Sequence, residues 1–310
     1  MNTHKNAVAA AGRRNRRVRD KSFEGYLYIA PWLIGFLLLT VWPMGQSLYF
    51  SFTDYSLLQP ANWVGWQNYD KIFNRDSTFV NSLKATFLFV ATSVPLKLAF
   101  ALLLALVLNM KLKGMHFYRT VIYFPSLIGA SVAVAILWNN IFGIDGIVNH
   151  FLQYLNIAGK NWIGLPETAL GTLVVLAVWQ FGSSMVIFLS GLKQIPTECY
   201  EAASVDGAGK VRSFFKITLP LLSPIILFNL VLQVIGSFQM FTQAFIITKG
   251  GPIEATYMYA LYLFDKAFTR FEMGYASALA WILLVIIGVV TALIFSTSRT
   301  WVHYENEGRD

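Results

Sequence analysis

One cysteine in 310 residues, four histidines and a charged fraction of only 13% set the first limits on this chain. Cys199 alone cannot close an intrachain disulfide, which fits a reducing surrounding. Soluble globular domains carry about a quarter charged residues. Half that fraction, with 56% hydrophobic residues and a positive mean hydropathy, excludes an ordinary soluble domain. No G-x-x-x-x-G-K-[ST] stretch occurs, so the chain lacks the phosphate-cradling loop needed to hydrolyse ATP by that route. The sixteen Asp and Glu and the four His stay out of the long apolar runs. A proton-coupled carrier needs an intramembrane carboxylate or His relay, and an intramembrane metalloenzyme needs the same residue types as ligands. Neither set is available.

What is present is six apolar runs long enough to span a bilayer as helices, near 26–50, 85–108, 118–141, 169–191, 221–247 and 274–297. They predict an all-α, polytopic membrane protein with one helical domain over 26–297, between a basic tail (1–25) and a short tail (298–310). The first run is longer than a signal-peptide core and lacks a small-x-small cleavage site, so it reads as a retained helix. The net charge of +8 follows topology and does not point to nucleic acid. Sixteen Lys/Arg fall on one side: seven in the N-terminal tail, then Lys111, Lys113, Arg119, Lys193, Lys210, Arg212, Lys216, Arg299 and Arg309. The other side holds six: Lys71, Arg75, Lys160, Lys249, Lys266 and Arg270. The positive-inside rule puts both termini and the 193–220 loop in the cytoplasm.

That loop is a polar interruption of roughly twenty residues with internal order. Glu201-Ala202-Ala203 favours helix, and Asp206-Gly207 supplies turn chemistry. Val211, Phe214, Phe215 and Thr218 then recur at helical spacing, ending at Pro220. Two short helices bent at a glycine would make a compact knob outside the bilayer. The segment resembles the EAA loop of the membrane subunits of bacterial ABC importers, matched here at Glu201, Ala202, Ala203, Gly207, Ile217, Leu219 and Pro220. Further matches favour the maltose-type, carbohydrate branch of that family: Val64-Gly65-x-x-Asn68-Tyr69, Thr248-Lys249-Gly250-Gly251-Pro252 and Met273-Gly274-Tyr275-Ala276-Ser277-Ala278. Between the last two, Tyr257, Leu261, Phe264 and Phe268 form a stripe that predicts an amphipathic helix on the outer surface.

The resemblance implies a six-helix type I importer subunit in the bacterial cytoplasmic membrane. It implies pairing with a homologous second permease, two ATPase subunits that hold the ATP and Mg, and an extracytoplasmic solute-binding protein that delivers a sugar. It also implies that the knob docks on an ATPase, with Glu201 making the charged contact and Asp206-Gly207 the tight turn. No cofactor is expected in this chain.

Candidate substrate-path residues come from the fifth and fourth runs. At about 100° per residue, Asn229, Gln233, Gly236, Ser237, Met240 and Gln243 share an arc of about 120°, with Gln239 beside it. Polar groups in hydrocarbon need helix partners or a wet cavity, so interhelical glue and substrate contact both remain open. The resemblance places aromatic and amide contacts of maltose permeases at 236, 237 and 240. Here these are Gly, Ser and Met, which implies a different substrate. Trp179, Gln180, Ser183 and Ser184 offer an aromatic platform beside amide and hydroxyl groups, a combination that suits sugars. Lys97 stands near the middle of the second run, where a charge costs ~2.5–3.5 kcal/mol on insertion scales. It would snorkel, pair with the second permease or face a cavity for an anionic substrate such as an acidic saccharide or phosphorylated polyol; pairing is the leading expectation. A stand-alone secondary carrier is the rival from a different class, and it would work without an ATPase.

Overall fold

The computed structural model describes residues 25–26, 28–110, 114–128 and 131–303; the basic N-terminal cluster, Lys111, Lys113 and Arg309 lie outside them. Among the described residues there is no strand beyond two isolated bridges, Thr53 to Trp63 and Ser56 to Gln59. The helices are α1 (Tyr28–Ser51), α2 (Gln67–Arg75), α3 (Ser77–Leu108), α4 (Met115–Ile128), α5 (Val132–Phe142), α6 (Ile147–Tyr154), α7 (Pro166–Trp179), α8 (Gly182–Leu192), α9 (Thr197–Val205), α10 (Lys210–Phe238), α11 (Tyr259–Phe264) and α12 (Met273–Ser298). Five stretches are long and apolar enough to cross a membrane, and α7 with α8, bent by 42°, makes a sixth. The protein is a multi-pass helical membrane protein.

Long, branched and aromatic side chains without polar punctuation favour helix in hydrocarbon, where every backbone N–H and C=O must be satisfied within the segment. Departures from the expected spans have local causes. The second span starts earlier, at Ser77, because the Asp76 carboxylate caps it by accepting from the N–H groups of Thr78 (3.0 Å) and Phe79 (3.2 Å). The third run is not one helix: α4 carries Pro125, and α5 restarts on Ser131, whose Oγ accepts from the Val134 N–H at 3.3 Å. The fifth run is a helix only to Phe238. Residues 239–241 leave it, and a π-helical turn follows at Ala244–Thr248.

α3 is the central helix, packed against α7, α8, α10 and α11. One apolar cluster joins Val90, Val94 and Leu98 of α3 to Met185 and Phe188 of α8 and Leu222 of α10. A second joins Phe89 to Trp138, Leu173 and Ile247. α1 rests on α12 through Trp42–Ser51, while its earlier half, including Tyr28 and Leu39, stays exposed.

The Ser77 end of α3 and the Met273 end of α12 are tied by a polar block. Tyr262 and Tyr275 both donate their hydroxyls to the Asp76 carboxylate. Lys266, 6% exposed, donates to Glu272 at 2.9 Å and lies 4.6 Å from the Tyr275 ring centroid. Burial alone would raise the Asp76 pKa. The two tyrosine hydrogen bonds, the Phe79 N–H and the Lys266 charge outweigh it and hold the carboxyl below 3.8. The expected surface helix is a correction. α11 is packed inside this block, with Tyr259 and Tyr262 buried, because Tyr259 N–H donates to Thr86 Oγ1 (2.8 Å) and its hydroxyl to the Leu279 carbonyl (2.8 Å). Gly274 permits the closeness of α12 to the end of α1, since a side-chain carbon there would collide with the Thr53 carbonyl.

Candidate functional site: a half-enclosed polar cavity and an exposed knob

A half-enclosed cavity of about 280 Å³ opens between α3, α7 and the end of α10. Its wall includes Lys97, Gln180, Gln233, Gly236, Ser237, Gln239, Met240 and Gln243. The break after Phe238 is what lets Gln239, Met240 and Gln243 turn into the same space as Gln233 and Ser237. Lys97 is about 16 Å along α3 from its Leu108 end, at 1.5 Å per residue, which is about half of a hydrocarbon core.

Not every residue singled out in the sequence reaches this space. Asn229 is fully buried and directs its amide Nδ2 to the Ser184 carbonyl at 3.4 Å, so it joins α10 to α8. Trp179 does not line the cavity; its ring lies 5.9 Å from Trp138, whose indole N–H donates to the Thr172 carbonyl at 3.0 Å. Ser184 is buried, its carbonyl meeting Asn229 of α10, and Ser183 is exposed. The 42° bend between Trp179 and Gly182 separates Ser183 and Ser184 from the α7 face that lines the cavity. The cavity also has walls the polar search passed over, namely Phe89, Leu173, Leu176, Ala177, Phe241 and Thr242. A usable signal existed: Leu173, Leu176, Ala177 and Gln180 recur at i, i+3, i+4, i+7 on one helix face.

The second site is the 197–220 segment. α9 ends in a left-handed glycine cap: Gly207 has φ +75, and the Ala208 N–H reaches back to the Ala203 carbonyl at 2.8 Å. Glu201, Ala202 and Asp206 are exposed, while Ala203 is half-buried. Tyr200 Oη and Thr218 Oγ1, 2.9 Å apart, fasten the two limbs of the knob. Around the turn, Val205 (88%), Val211 (73%) and Phe215 (60%) leave apolar surface bare. The expected stop at Pro220 is a correction, because the helix that starts at Lys210 continues through it to Phe238. A π-helical turn at Phe214–Thr218 absorbs the ring and the missing N–H, with Leu219 N–H bonding back to Phe214. Ile217, Leu219 and Pro220 are thus part of one helix running from the knob to the cavity wall.

A mid-membrane polar cavity joined by a continuous helix to an exposed apolar knob defines a membrane transport component. Residues 97–303 match the family described as the binding-protein-dependent transport system inner membrane component, and the chain belongs to that family. It is similar to the probable ABC transporter permease protein YesP of Bacillus subtilis strain 168, with 53% identity covering 96% of this chain and 98% of that one. It is also similar to the sulfoquinovosyl glycerol transport system permease protein SmoG of Agrobacterium fabrum, with 34% identity covering 88% and 90%. Among solved structures it superposes on a bacterial ABC transporter involved in import of the acidic polysaccharide alginate. That likeness has a TM-score of 0.81 at 22% identity, over 93% of this chain and 99% of that one, and is one of fold. The protein is a transport subunit and not an enzyme.

Proposed function

We propose that this chain is the membrane-spanning subunit of an ATP-driven importer for a sugar or oligosaccharide handed over by an extracytoplasmic binding protein. Separate ATPase subunits, holding ATP and Mg, dock on the knob around Glu201 and Gly207. The observation that carries the reading is the physical continuity of that knob with the cavity wall through α10. Neutral amides and a hydroxyl at Gln180, Gln233, Ser237 and Gln243 suit a polyhydroxylated solute, which needs exchangeable hydrogen bonds once it leaves water. The relatives named for saccharide transport support the substrate class. The bare flank of α1 supports a second, homologous permease beside it. Alternating access follows: closure of the ATPases draws the knobs together and opens the cavity outward, and hydrolysis returns it to face the cytoplasm, where both termini lie.

The test is made on the complete complex. Glu201→Lys turns an attractive docking contact into a repulsive one, and like-charge juxtaposition at an interface costs several kcal/mol, on the order of a hundredfold or more. Gly207→Pro cannot adopt φ +75. Both variants are expected to insert normally and to lose ATP-dependent uptake, with release of the ATPases on size exclusion. Full ATPase retention with wild-type uptake would remove the docking assignment.

A further inference from the structure

Among the described residues that line the cavity, Lys97 is the one cation and none is acidic. Among the described residues the ion pairs are Arg75 with Asp70 and Lys266 with Glu272, and Lys97 takes part in neither. Its polar neighbours on the wall are Gln180, Gln233, Ser237, Gln239, Thr242 and Gln243, all neutral. Amides can hydrate an ammonium group in part, but they cannot neutralise it. The cavity therefore holds a net positive charge, with hydrogen-bonding groups around it and room for about one sugar ring at a time. Such a site favours a solute that brings the missing negative charge, because low-dielectric walls strengthen a charge pair that bulk water would screen.

Resting on the saccharide-import reading above, we infer that Lys97 is the specificity-determining residue of this cavity and receives the anionic group of an acidic saccharide. A lysine ammonium is a compact charge on a flexible stem and accepts a carboxylate, a sulfate or a phosphate without the fixed fork geometry of arginine. The amides around it then hydrogen-bond ring hydroxyls. This differs from the pairing with a second permease that the sequence suggests, because the side chain opens to the cavity shared with Ser237 and Gln243. A neutral sugar of the same shape would leave the ammonium unpaired and would be carried poorly, since sites built for a polar partner discriminate strongly against analogues that lack it.

The experiment uses the complete complex in proteoliposomes and three substrate pools: mixed acidic di- and trisaccharides bearing uronic carboxylates, the same pool after carboxyl reduction to the neutral sugars, and a sulfated form of the reduced pool. Uptake is read by mass spectrometry. Wild type is expected to take up at least one charged pool about tenfold or more faster than the reduced pool, and which one it takes identifies the anionic group. Lys97→Met should abolish the advantage of that charged pool over the neutral one, with the complex still assembled. Lys97→Arg should retain most of the charged uptake. Equal wild-type uptake of charged and neutral pools overturns the inference, as does an equal loss of all pools in Lys97→Met. Loss of the assembled complex in Lys97→Met also overturns it and gives Lys97 to the second permease. A wild-type complex with no ATP-dependent uptake of any pool overturns the import reading itself, a result distinguished because Glu201→Lys then has nothing to abolish.

Discussion

Two lysines in this protein are withdrawn from water and treated in opposite ways. Lys266, in the block around Asp76, is held by Glu272 at 2.9 Å and capped by the Tyr275 ring. Lys97, on the cavity wall, faces amides and hydroxyls and no countercharge. A charge that is paired and hydrogen-bonded from several sides fixes geometry: here it joins the start of α12 to the chain that follows α11. A charge left without its complement is held ready for something that comes and goes. On the reading proposed above, the Asp76–Lys266 block is architecture and the cavity is recognition, although both are built from the same residue types.

The contrast can be broken most directly at Lys266. Lys266→Met strands the Glu272 carboxylate and should destabilise the purified protein by about 3 kcal/mol, the low end for breaking a buried pair because Glu272 is partly exposed. Thermal unfolding in detergent reads it, and Glu272→Gln on the Lys266→Met background should recover part of the loss. If Lys97→Met lowers the melting temperature as much as Lys266→Met, the two lysines do not differ and the division fails. A smaller effect is expected inside the cavity. Ser237→Val and Gln243→Leu should slow transport by about 1–3 kcal/mol through lost exchangeable hydrogen bonds, with no change in melting temperature. Unfolding without slowed transport would mark these side chains as packing. Smallest is the acid limb of stability. The Asp76 carboxyl is depressed in the folded state, so the stability it contributes is present above pH 3.8 and is lost as pH falls through its lower folded value. Asp76→Asn should flatten that limb, and an unchanged acid profile would take Asp76 out of the block.

The membrane class and the Gly207 turn were legible because apolar length and the Asp206-Gly207 turn are local signals, whereas the third membrane-length stretch lies at Val132–Tyr154 and not at 118–141. The helical wheel found most of the polar wall for a simple reason: Gln233, Gly236 and Ser237 lie on continuous helix. Gln239, Met240 and Gln243 reach the cavity too, but across a break that a 100° wheel does not contain. Trp179 misled because its sugar-platform chemistry equals its packing chemistry, and it is the ring of Trp138, 41 residues earlier, that it meets. The stripe Tyr257, Leu261, Phe264, Phe268 misled for a related reason. Periodicity reports that one face is covered, while the hydrogen bond from Tyr259 to Thr86, 173 residues away in sequence, determines what covers it. Pro220 reads as a stop in any window that lacks the compensating π turn before it.

That uninterrupted passage through Pro220 has a mechanical consequence. From Lys210 to Ser237 the helix measures about 40 Å at 1.5 Å per residue, so on the coupling proposed above it is a lever with the cavity at one end and the Gly207 turn at the other. A tilt of about 5° pivoted near Ser237 sweeps the Lys210 end through about 3.5 Å on that arm length. Run backwards, a displacement of a few ångströms imposed on the knob arrives at the cavity as a small rotation. The hydroxyl of Ser237 and the amide of Gln233 are then re-aimed without being carried away, and a grip on a solute can be loosened by turning the wall that holds it.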